Sequence, residues 1–282
     1  MRWLLCAILA VQVAVVRGET TTSAFSEFPF EYREGLIWVQ VQVAERREPL
    51  RFLLDSGAEV SVLNLDTAKR LGVALGEQVK VSSVQTTMTG YWPQKLSATA
   101  NDVKLPSDFL ALDLSKLNAA CTQSVDGLIG KDFFNGRIVQ IDFVAQKIRL
   151  LDASNAPTKS ESSPLEIRRC GLCVMASIDG SKPQRLRLDT GCATALQWVT
   201  TKVNLQRCSS KMAIGLAQLN IPQTTTTVNL AGQTFRDVPT GLHHDAIFDG
   251  EAGLLGNGLL SRFETVTIDS NARHLTFGRL RE

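Results

Sequence analysis

Residues 50–60 of this chain read Leu50-Arg-Phe-Leu-Leu-Asp-Ser-Gly-Ala-Glu-Val60, and residues 185–194 read Arg185-Leu-Arg-Leu-Asp-Thr-Gly-Cys-Ala-Thr194. In both stretches a short run containing apolar residues, Leu50–Leu54 in the first and Arg185–Leu188 in the second, ends in an aspartate, a hydroxyl residue and a glycine. A short run of this kind is typical of a buried strand, which would deliver Asp55 and Asp189 to fixed places. Gly57 and Gly191 allow the backbone to turn where a side chain would clash. The chain therefore carries two similar strand-to-turn elements.

The surroundings of the two motifs repeat in the same order. An alternating apolar stretch precedes each motif, and an apolar-apolar-glycine element follows it. These paired stretches are Leu36–Val43 with Cys173–Ile178, and Leu128-Ile-Gly130 with Leu254-Leu-Gly256. One Asp-Ser/Thr-Gly would be a weak signal, because Asp-Gly turns are common. Two copies in matching contexts predict a duplicated fold.

The rest of the pattern predicts strands and turns with few helices. A short helix is expected over Asp66–Leu71, ending at Gly72, and a short one after each of Gly130 and Gly256. We therefore predict an all-β protein with two similar closed-barrel lobes and a cleft between them. The predicted boundaries are an N-terminal lobe over 29–152, a Ser- and Pro-rich linker over 153–164 and a C-terminal lobe over 165–280.

The beginning of the chain is typical of a secretory signal peptide. Met1-Arg2 precedes a nearly continuous apolar run from Trp3 to Val16, and small residues near Gly18 suit a cleavage site. The alternative is a membrane anchor, but the run is short for a span of about 20 residues. We expect residues 1–18 to be removed, and the mature protein to be periplasmic or secreted without stable membrane insertion. A net charge of +2 gives no basis for nucleic-acid binding.

Five cysteines remain after cleavage, namely Cys121, Cys170, Cys173, Cys192 and Cys208. Export permits disulfides, and an odd number leaves at least one thiol outside an intrachain pair. The sequence leaves their connectivity open. Cys192 and Cys208 would suit a bridge, and a buried free thiol at Cys192 is an equal alternative. The Cys170–Cys173 pair also suits a redox or zinc role, although no second pair stands at zinc-finger spacing.

Two aspartates at the ends of facing turns would act as one chemical unit. Two carboxylates held close together share one proton, because both cannot ionise without strong repulsion. The ionised member can take a proton from a water that attacks a peptide carbonyl, while the protonated member stabilises the oxyanion. This chemistry needs no metal, cofactor or covalent nucleophile. The hydroxyls of Ser56 and Thr190 are candidates for hydrogen bonds across the interface, supporting both loops together with Gly57 and Gly191.

Asp55-Ser-Gly-Ala and Asp189-Thr-Gly, each with a later apolar-apolar-glycine element, resemble the aspartic proteases. The run Phe52-Leu-Leu-Asp-Ser-Gly-Ala-Glu-Val-Ser-Val-Leu63, together with Val125-Asp-Gly-Leu-Ile-Gly-Lys-Asp-Phe-Phe134, resembles their retropepsin-like branch. The resemblance covers about residues 30 to 280 and implies an aspartic endopeptidase with catalytic Asp55 and Asp189. Retroviral members are homodimers with one motif per chain. This chain resembles a fused version, in which a monomer would suffice to cleave a polypeptide substrate.

The resemblance also implies a β-hairpin flap above the cleft in each lobe. The first is expected around 81–96 with its tip near Thr86–Gly90, and the second over 214–228. Tyr91 and Trp92 stand beside the expected first tip, with plain strand aromatics as the alternative. Two departures from the family pattern stand out: Cys192 replaces the usual alanine, and the second motif lacks an acidic residue matching Glu59.

Two other functions compete with proteolysis. A protein with the same two lobes would be able to bind a peptide or another ligand in the cleft without cleaving it, because fold alone does not guarantee activity. A metal hydrolase would use His243, His244 and Asp245. Adjacent histidines on a strand point to opposite faces, so joint ligation there would need a loop. The presence of both aspartates favours the protease.

Overall fold

The computed structural model describes residues 26–44, 46–83, 86–157, 162–169, 171–200, 209–214 and 217–281. The described residues of the first half form thirteen strands: β1 (Ser26–Pro29), β2 (Glu31–Arg33), β3 (Leu36–Val43), β4 (Leu50–Leu54), β5 (Val62–Asn64), β6 (Glu77–Ser83), β7 (Thr86–Trp92), β8 (Ala98–Ala100), β9 (Val103–Lys104), β10 (Leu110–Leu112), β11 (Gly127–Ile129), β12 (Ile138–Asp142) and β13 (Lys147–Leu151). Its helical segments are α1 (Leu65–Leu71), α2 (Ser115–Asn118) and 3-10 turns over Lys131–Phe134 and Ala153–Asn155.

The second half has ten strands within its described residues. They are β14 (Ser162–Arg168), β15 (Gly171–Ile178), β16 (Gln184–Asp189), β17 (Leu196–Val199), β18 (Ser209–Ile214), β19 (Ala217–Leu230), β20 (Gln233–His243), β21 (Gly253–Gly256), β22 (Thr265–Asp269) and β23 (His274–Phe277). The short helix α3 (Asn257–Leu260) follows β21 directly. The predicted all-β class is confirmed.

The two halves share one strand arrangement around their motifs. In the first half β11 pairs in parallel with β4 and antiparallel with β5, and β5 pairs in parallel with β10. In the second half β21, β16, β17 and β20 repeat those pairings in the same directions. Each motif strand therefore ends inside a sheet, with a neighbour on either side, and the aspartate that follows is held by main-chain pairing.

Six neighbouring strands of a thirteen-stranded sheet join the halves, in the order β1-β13-β12-β22-β23-β14. Its centre is the antiparallel pair β12 and β22, in which Ile141 stands opposite Val266. One cluster of buried apolar side chains extends through both halves, from Phe28 to Phe277. Burying a side chain of this size contributes about 1.5–3 kcal/mol. This shared core fixes the position of one motif relative to the other.

Several local predictions are confirmed. Strand β3 has the predicted bounds, and α1 ends at Gly72, whose left-handed backbone (φ 69°) suits a glycine cap. The short turns after Gly130 and Gly256 are a 3-10 helix and α3. The predicted lobe boundaries remain predictions. The signal-peptide residues 1–18 lie outside the described residues, and so does 158–161 of the expected linker. Strand β1 begins at Ser26, three residues before the predicted start of the first lobe.

The predicted flap positions need correction. The first hairpin consists of β6 and β7, which pair from Glu77 with Trp92 to Ser83 with Thr86, so the predicted tip at Thr86–Gly90 is wrong. Those residues form the returning strand, where the Thr-rich run and Gly90 pair with β6. Tyr91 and Trp92 are strand aromatics at the end of β7. The second hairpin is β18 with the first part of β19, because residues from Gln223 onward pair with β20 instead.

No helix in the described part of the chain is long and apolar enough to cross a membrane.

Candidate active site

Asp55 and Asp189 meet where the two motif loops face each other. Each carboxyl is hydrogen-bonded to the other. Asp189 is buried and Asp55 is partly buried. The structure therefore brings together the two aspartates that the sequence predicts, although they lie 134 positions apart in the chain.

Ser56 and Thr190 connect the loops through four buried hydrogen bonds. The Ser56 N–H donates to Thr190 Oγ1 (2.9 Å), and the Thr190 N–H donates to Ser56 Oγ (3.1 Å). Each hydroxyl donates in turn to a main-chain carbonyl of the opposite strand, Ser56 to Leu188 (2.8 Å) and Thr190 to Leu54 (2.9 Å). These bonds confirm that the two hydroxyls interact across the interface, and they fix each loop against the other.

The motif glycines allow the carboxyls to approach. A Cβ built on Gly57 would stand 2.6 Å from Cγ of Asp189, and one built on Gly191 would stand 2.5 Å from Cγ of Asp55. Both distances are shorter than any real van der Waals contact. Each glycine thus makes space for the aspartate of the opposite loop.

The later apolar-apolar-glycine elements support the loops from behind. A side chain at Gly130 would overlap the main chain of Val60 and Ser61, and one at Gly256 would overlap that of Cys192 and Thr194. The residue after each glycine donates its N–H to the fourth residue of its own loop. Lys131 donates to the Ala58 carbonyl and Asn257 to the Cys192 carbonyl, both at 2.8 Å.

The hydrogen bonds to the two carboxyls are unequal. Oδ1 of Asp55 accepts from the N–H groups of Gly57 and Ala58, both at 3.0 Å. Oδ1 of Asp189 accepts from the Gly191 N–H at 2.9 Å. The N–H groups of Ala58 and Cys192 both donate to the main-chain carbonyl of their own aspartate (3.1 and 3.2 Å), so the loops differ in the additional bond from Ala58 to the carboxyl. Asp55 accepts from two N–H groups and Asp189 from a single one, so the ionised form is better stabilised at Asp55 than at Asp189.

The pKa directions follow the same asymmetry. Burial raises the pKa of Asp55, and the bonds from Ala58 and Gly57 oppose that rise. The pKa of Asp189 is raised well above its usual value, first by burial and second by the neighbouring negative charge of Asp55. When the pair holds a single proton, these directions favour its place on Asp189.

Two buried residues near the pair were not predicted from the sequence. Arg187 precedes Asp189 by two positions in β16, and it forms a two-point ion pair with Glu251 at 2.7 and 2.9 Å. One feature of the sequence could have indicated Arg187. It is a charged residue inside β16, whereas the matching strand β4 ends in apolar residues only. Glu251 lies two residues before β21 and had no recognisable pattern.

The cysteines and histidines of the alternative functions lie in different surroundings. Cys121, Cys173 and Cys192 are free thiols, so the alternative of a bridge from Cys192 is wrong; Cys170 and Cys208 lie outside the described residues. Burial raises the pKa of Cys192 to about 12. His243 is buried with Nε2 2.7 Å from Oε1 of Gln197, whereas His244 is exposed. Throughout the described residues, no three His, Cys, Asp or Glu side chains cluster closely enough to hold a metal ion.

Comparison with known proteins agrees with this geometry. Residues 39–133, which include the first motif, match a family model described as aspartyl protease. The fold matches the crystal structure of an aspartic proteinase from Irpex lacteus with a TM-score of 0.57 and 14% sequence identity, covering 91% of this chain and 98% of that one. No curated protein sequence matches the chain. Residues 39–133 are thus similar to the aspartyl protease family, and the fold of the chain is similar to that of an aspartic proteinase.

Proposed function

We propose that this protein is an aspartic endopeptidase, which hydrolyses peptide bonds with a water molecule activated between Asp55 and Asp189. The observation that carries the proposal is the direct contact of the two carboxyls, in loops joined by the reciprocal Ser56 and Thr190 bonds. A ligand-binding cleft alone would not require two aspartates to face each other at this cost in repulsion and desolvation.

The unequal hydrogen bonding assigns a role to each aspartate. Asp55, the better stabilised anion, takes a proton from the water, which then attacks the carbonyl carbon of the peptide. Asp189 donates its proton to the carbonyl oxygen and so stabilises the tetrahedral intermediate. Asp55 then gives the proton it took to the leaving nitrogen, and the C–N bond breaks as one hydroxyl of the intermediate returns its proton to Asp189. The chain's own residues account for every proton in this sequence.

The test is hydrolysis by the mature protein of a denatured protein mixture, followed from about pH 3 to about pH 8. A statine inhibitor, which mimics the tetrahedral intermediate, is expected to abolish peptide release, and a chelator is expected to leave it unchanged. Binding of peptides without any cleavage would instead support the non-catalytic alternative. Cleavage that a chelator abolishes would point to a metal hydrolase.

We also propose that one chain is sufficient and that it acts outside the cytoplasm. Both loops of the pair come from a single chain, so no second copy is needed to complete the site. Sedimentation of an active sample should give a species near the mature chain mass. Loss of activity on dilution, in step with dissociation of a dimer, would contradict this. Export, after cleavage near Gly18, would be tested by recovering the processed protein from the periplasm or medium of a bacterial expression host.

A further inference from the structure

Arg187 is a charged side chain in a place where the fold needs only an apolar one. It is 3% exposed, and it precedes Asp189 by two residues in β16. The matching residue of the first half is Leu53, two residues before Asp55, which is equally buried and apolar. Because leucine fills this position in one half, packing of the motif strand does not by itself call for an arginine in the other.

The guanidinium is held from several sides. Glu251 accepts two of its N–H groups at 2.7 and 2.9 Å, and the ring of Phe248 lies 3.4 Å from its central carbon. A side chain at Gly171 would approach within 2.9 Å of the guanidinium, so that glycine leaves it room. A buried ion pair is weak evidence for stabilisation, because desolvation offsets the attraction between the charges. A further contact of the guanidinium therefore offers a better explanation for this arrangement.

A third contact connects Arg187 with the opposite active-site loop. Its Nη1 donates to the main-chain carbonyl of Gly57 at 3.0 Å. That carbonyl belongs to the same peptide group as the N–H of Ala58, which donates to Oδ1 of Asp55 at 3.0 Å. A cationic donor on the carbonyl polarises the peptide and makes its N–H a stronger donor. Arg187 thus acts on Asp55 through one peptide group.

The second loop is built differently. The peptide group that matches is Gly191–Cys192. Its N–H donates to the main-chain oxygen of Asp189, as that of Ala58 does to Asp55, but it lacks the additional bond that Ala58 makes to the carboxyl. The side chain at the position matching Arg187 is Leu53, which has no group to donate. The duplicated fold is therefore asymmetric at this pair of matching peptide groups: Gly57–Ala58 reaches a catalytic carboxyl, and Gly191–Cys192 does not.

We propose that Arg187 is a positioning residue that decides which aspartate is the base: through the Gly57–Ala58 peptide it holds the negative charge on Asp55 and leaves the shared proton on Asp189. The inference rests on the proposed function, since it assigns roles within that reaction. Arg187 lies outside the Asp-Ser/Thr-Gly motif, and the inference adds it to the residues that control where the proton resides.

The charge of Arg187 acts on both aspartates, whereas its hydrogen bond acts on one. The guanidinium faces Glu251, Asp55 and Asp189. Burial raises the pKa of both aspartates, and the positive charge of Arg187 opposes that rise at both, so charge alone does not distinguish them. Burial raises the pKa of the Cys173 thiol, which lies 3.5 Å from Glu251, to about 12, so the thiol stays neutral. Arg168 and Arg185 contribute further positive charge nearby. A through-space effect would act on both aspartates, whereas the peptide reaches only Asp55.

The experiment compares two double variants of the full mature protein. Arg187→Met/Glu251→Gln removes both charges of the buried pair together, so that no unpaired charge remains. The control is Arg185→Met/Glu166→Gln, which removes a partly exposed ion pair (2.7 Å) between Arg185 of the same strand and Glu166 of β14. The first measurement is the pH dependence of kcat/KM. The second is a titration of the two aspartate carboxyl carbons by ¹³C NMR, which needs no catalytic activity.

We expect the lower apparent pKa of the dyad to rise by about 0.5–1 pH unit in Arg187→Met/Glu251→Gln, so the acid limb moves toward neutral. The control should leave both limbs in place. Arg187→Lys keeps the charge but cannot bridge Glu251 and the Gly57 carbonyl together, so it should show the same rise, and it serves if the double variant does not fold. An unchanged lower pKa in a folded variant would overturn the inference. A wild-type protein without hydrolysis would overturn the proposed function, while the NMR titration would still decide the role of Arg187.

Discussion

The loops 55–58 and 189–192 have the same backbone path and the same partners across the interface, yet they hold their carboxyls differently. In the first loop two N–H groups reach Asp55, and in the second a single N–H reaches Asp189. The residue two positions upstream is Leu53 in one strand and Arg187 in the other. The difference shows how a duplicated fold can assign two roles to two identical side chains, because only their surroundings determine which one keeps the proton.

Removing either carboxylate is expected to have the largest effect on activity. Asp55→Asn and Asp189→Asn should each lower kcat by more than about a thousandfold, because each removes one half of the shared-proton pair. Circular dichroism and thermal unfolding serve as the control that the fold remains. If either variant kept most of its activity, the two aspartates would not act as one unit.

The next test closes the space between the loops from each side in turn. Gly57→Ala would press on Asp189, and Gly191→Ala on Asp55, so each should displace the carboxyl of the opposite loop. A misplacement of this size is expected to lower kcat/KM by about a hundredfold. Gly72→Ala, where a Cβ meets no atom within 4 Å, is a control for the general cost of changing a glycine. An active Gly57→Ala enzyme would contradict the close packing of the pair.

Varying the pH separates the two members of the pair. Activity should follow a bell, falling about tenfold per pH unit on each side. It is lost as pH falls because Asp55 takes up a proton, and it is lost as pH rises because Asp189 releases one. Since burial and Asp55 raise the pKa of Asp189, the alkaline limb should stand well above the usual range of a carboxyl. The measurement is kcat/KM on a neutral peptide, and a rate that climbs steadily to about pH 9 would contradict it.

The same proton gives a stability signal. A carboxyl with a raised pKa in the folded state binds its proton more tightly there than in the unfolded chain. The free energy of unfolding should therefore fall as pH rises through the pKa of Asp189, and Asp189→Asn should lack that part of the dependence.

The smallest effect is expected where the loops differ without consequence for the carboxyls. Cys192 occupies the place that Ala58 holds in the first loop, and its Sγ lies 3.2 Å from Oγ1 of Thr194. Cys192→Ala should keep kcat/KM within about threefold and cost about 1 kcal/mol of stability, because buried cysteine behaves as a small apolar residue. Wild-type Cys192 should resist alkylation at neutral pH, since the thiol form does not react. A large loss of activity would show that the second loop depends on this thiol.

The strands, the duplication and the dyad were predictable because each is recorded in local pattern. Alternation marks β3, an apolar run marks β4, and two motifs in matching contexts mark a repeat. The flap turns were less predictable, because β6, β7 and β19 lack a strong turn signal and their lengths depend on which strand they pair with. Strand β19 illustrates this, since it pairs with β18 along its first part and with β20 along the rest.

Two aspartates at the ends of two buried strands, each followed by a hydroxyl residue and a glycine, could be inferred from the sequence alone. Three contacts are visible only in the tertiary structure. Gly57 makes room for Asp189, Arg187 reaches the Gly57 carbonyl, and Glu251 neutralises Arg187. These contacts join residues 64 to 132 positions apart. Local pattern records which face of a strand is buried, but the partner that a buried charge will find depends on how the strands pair, and no local pattern records that.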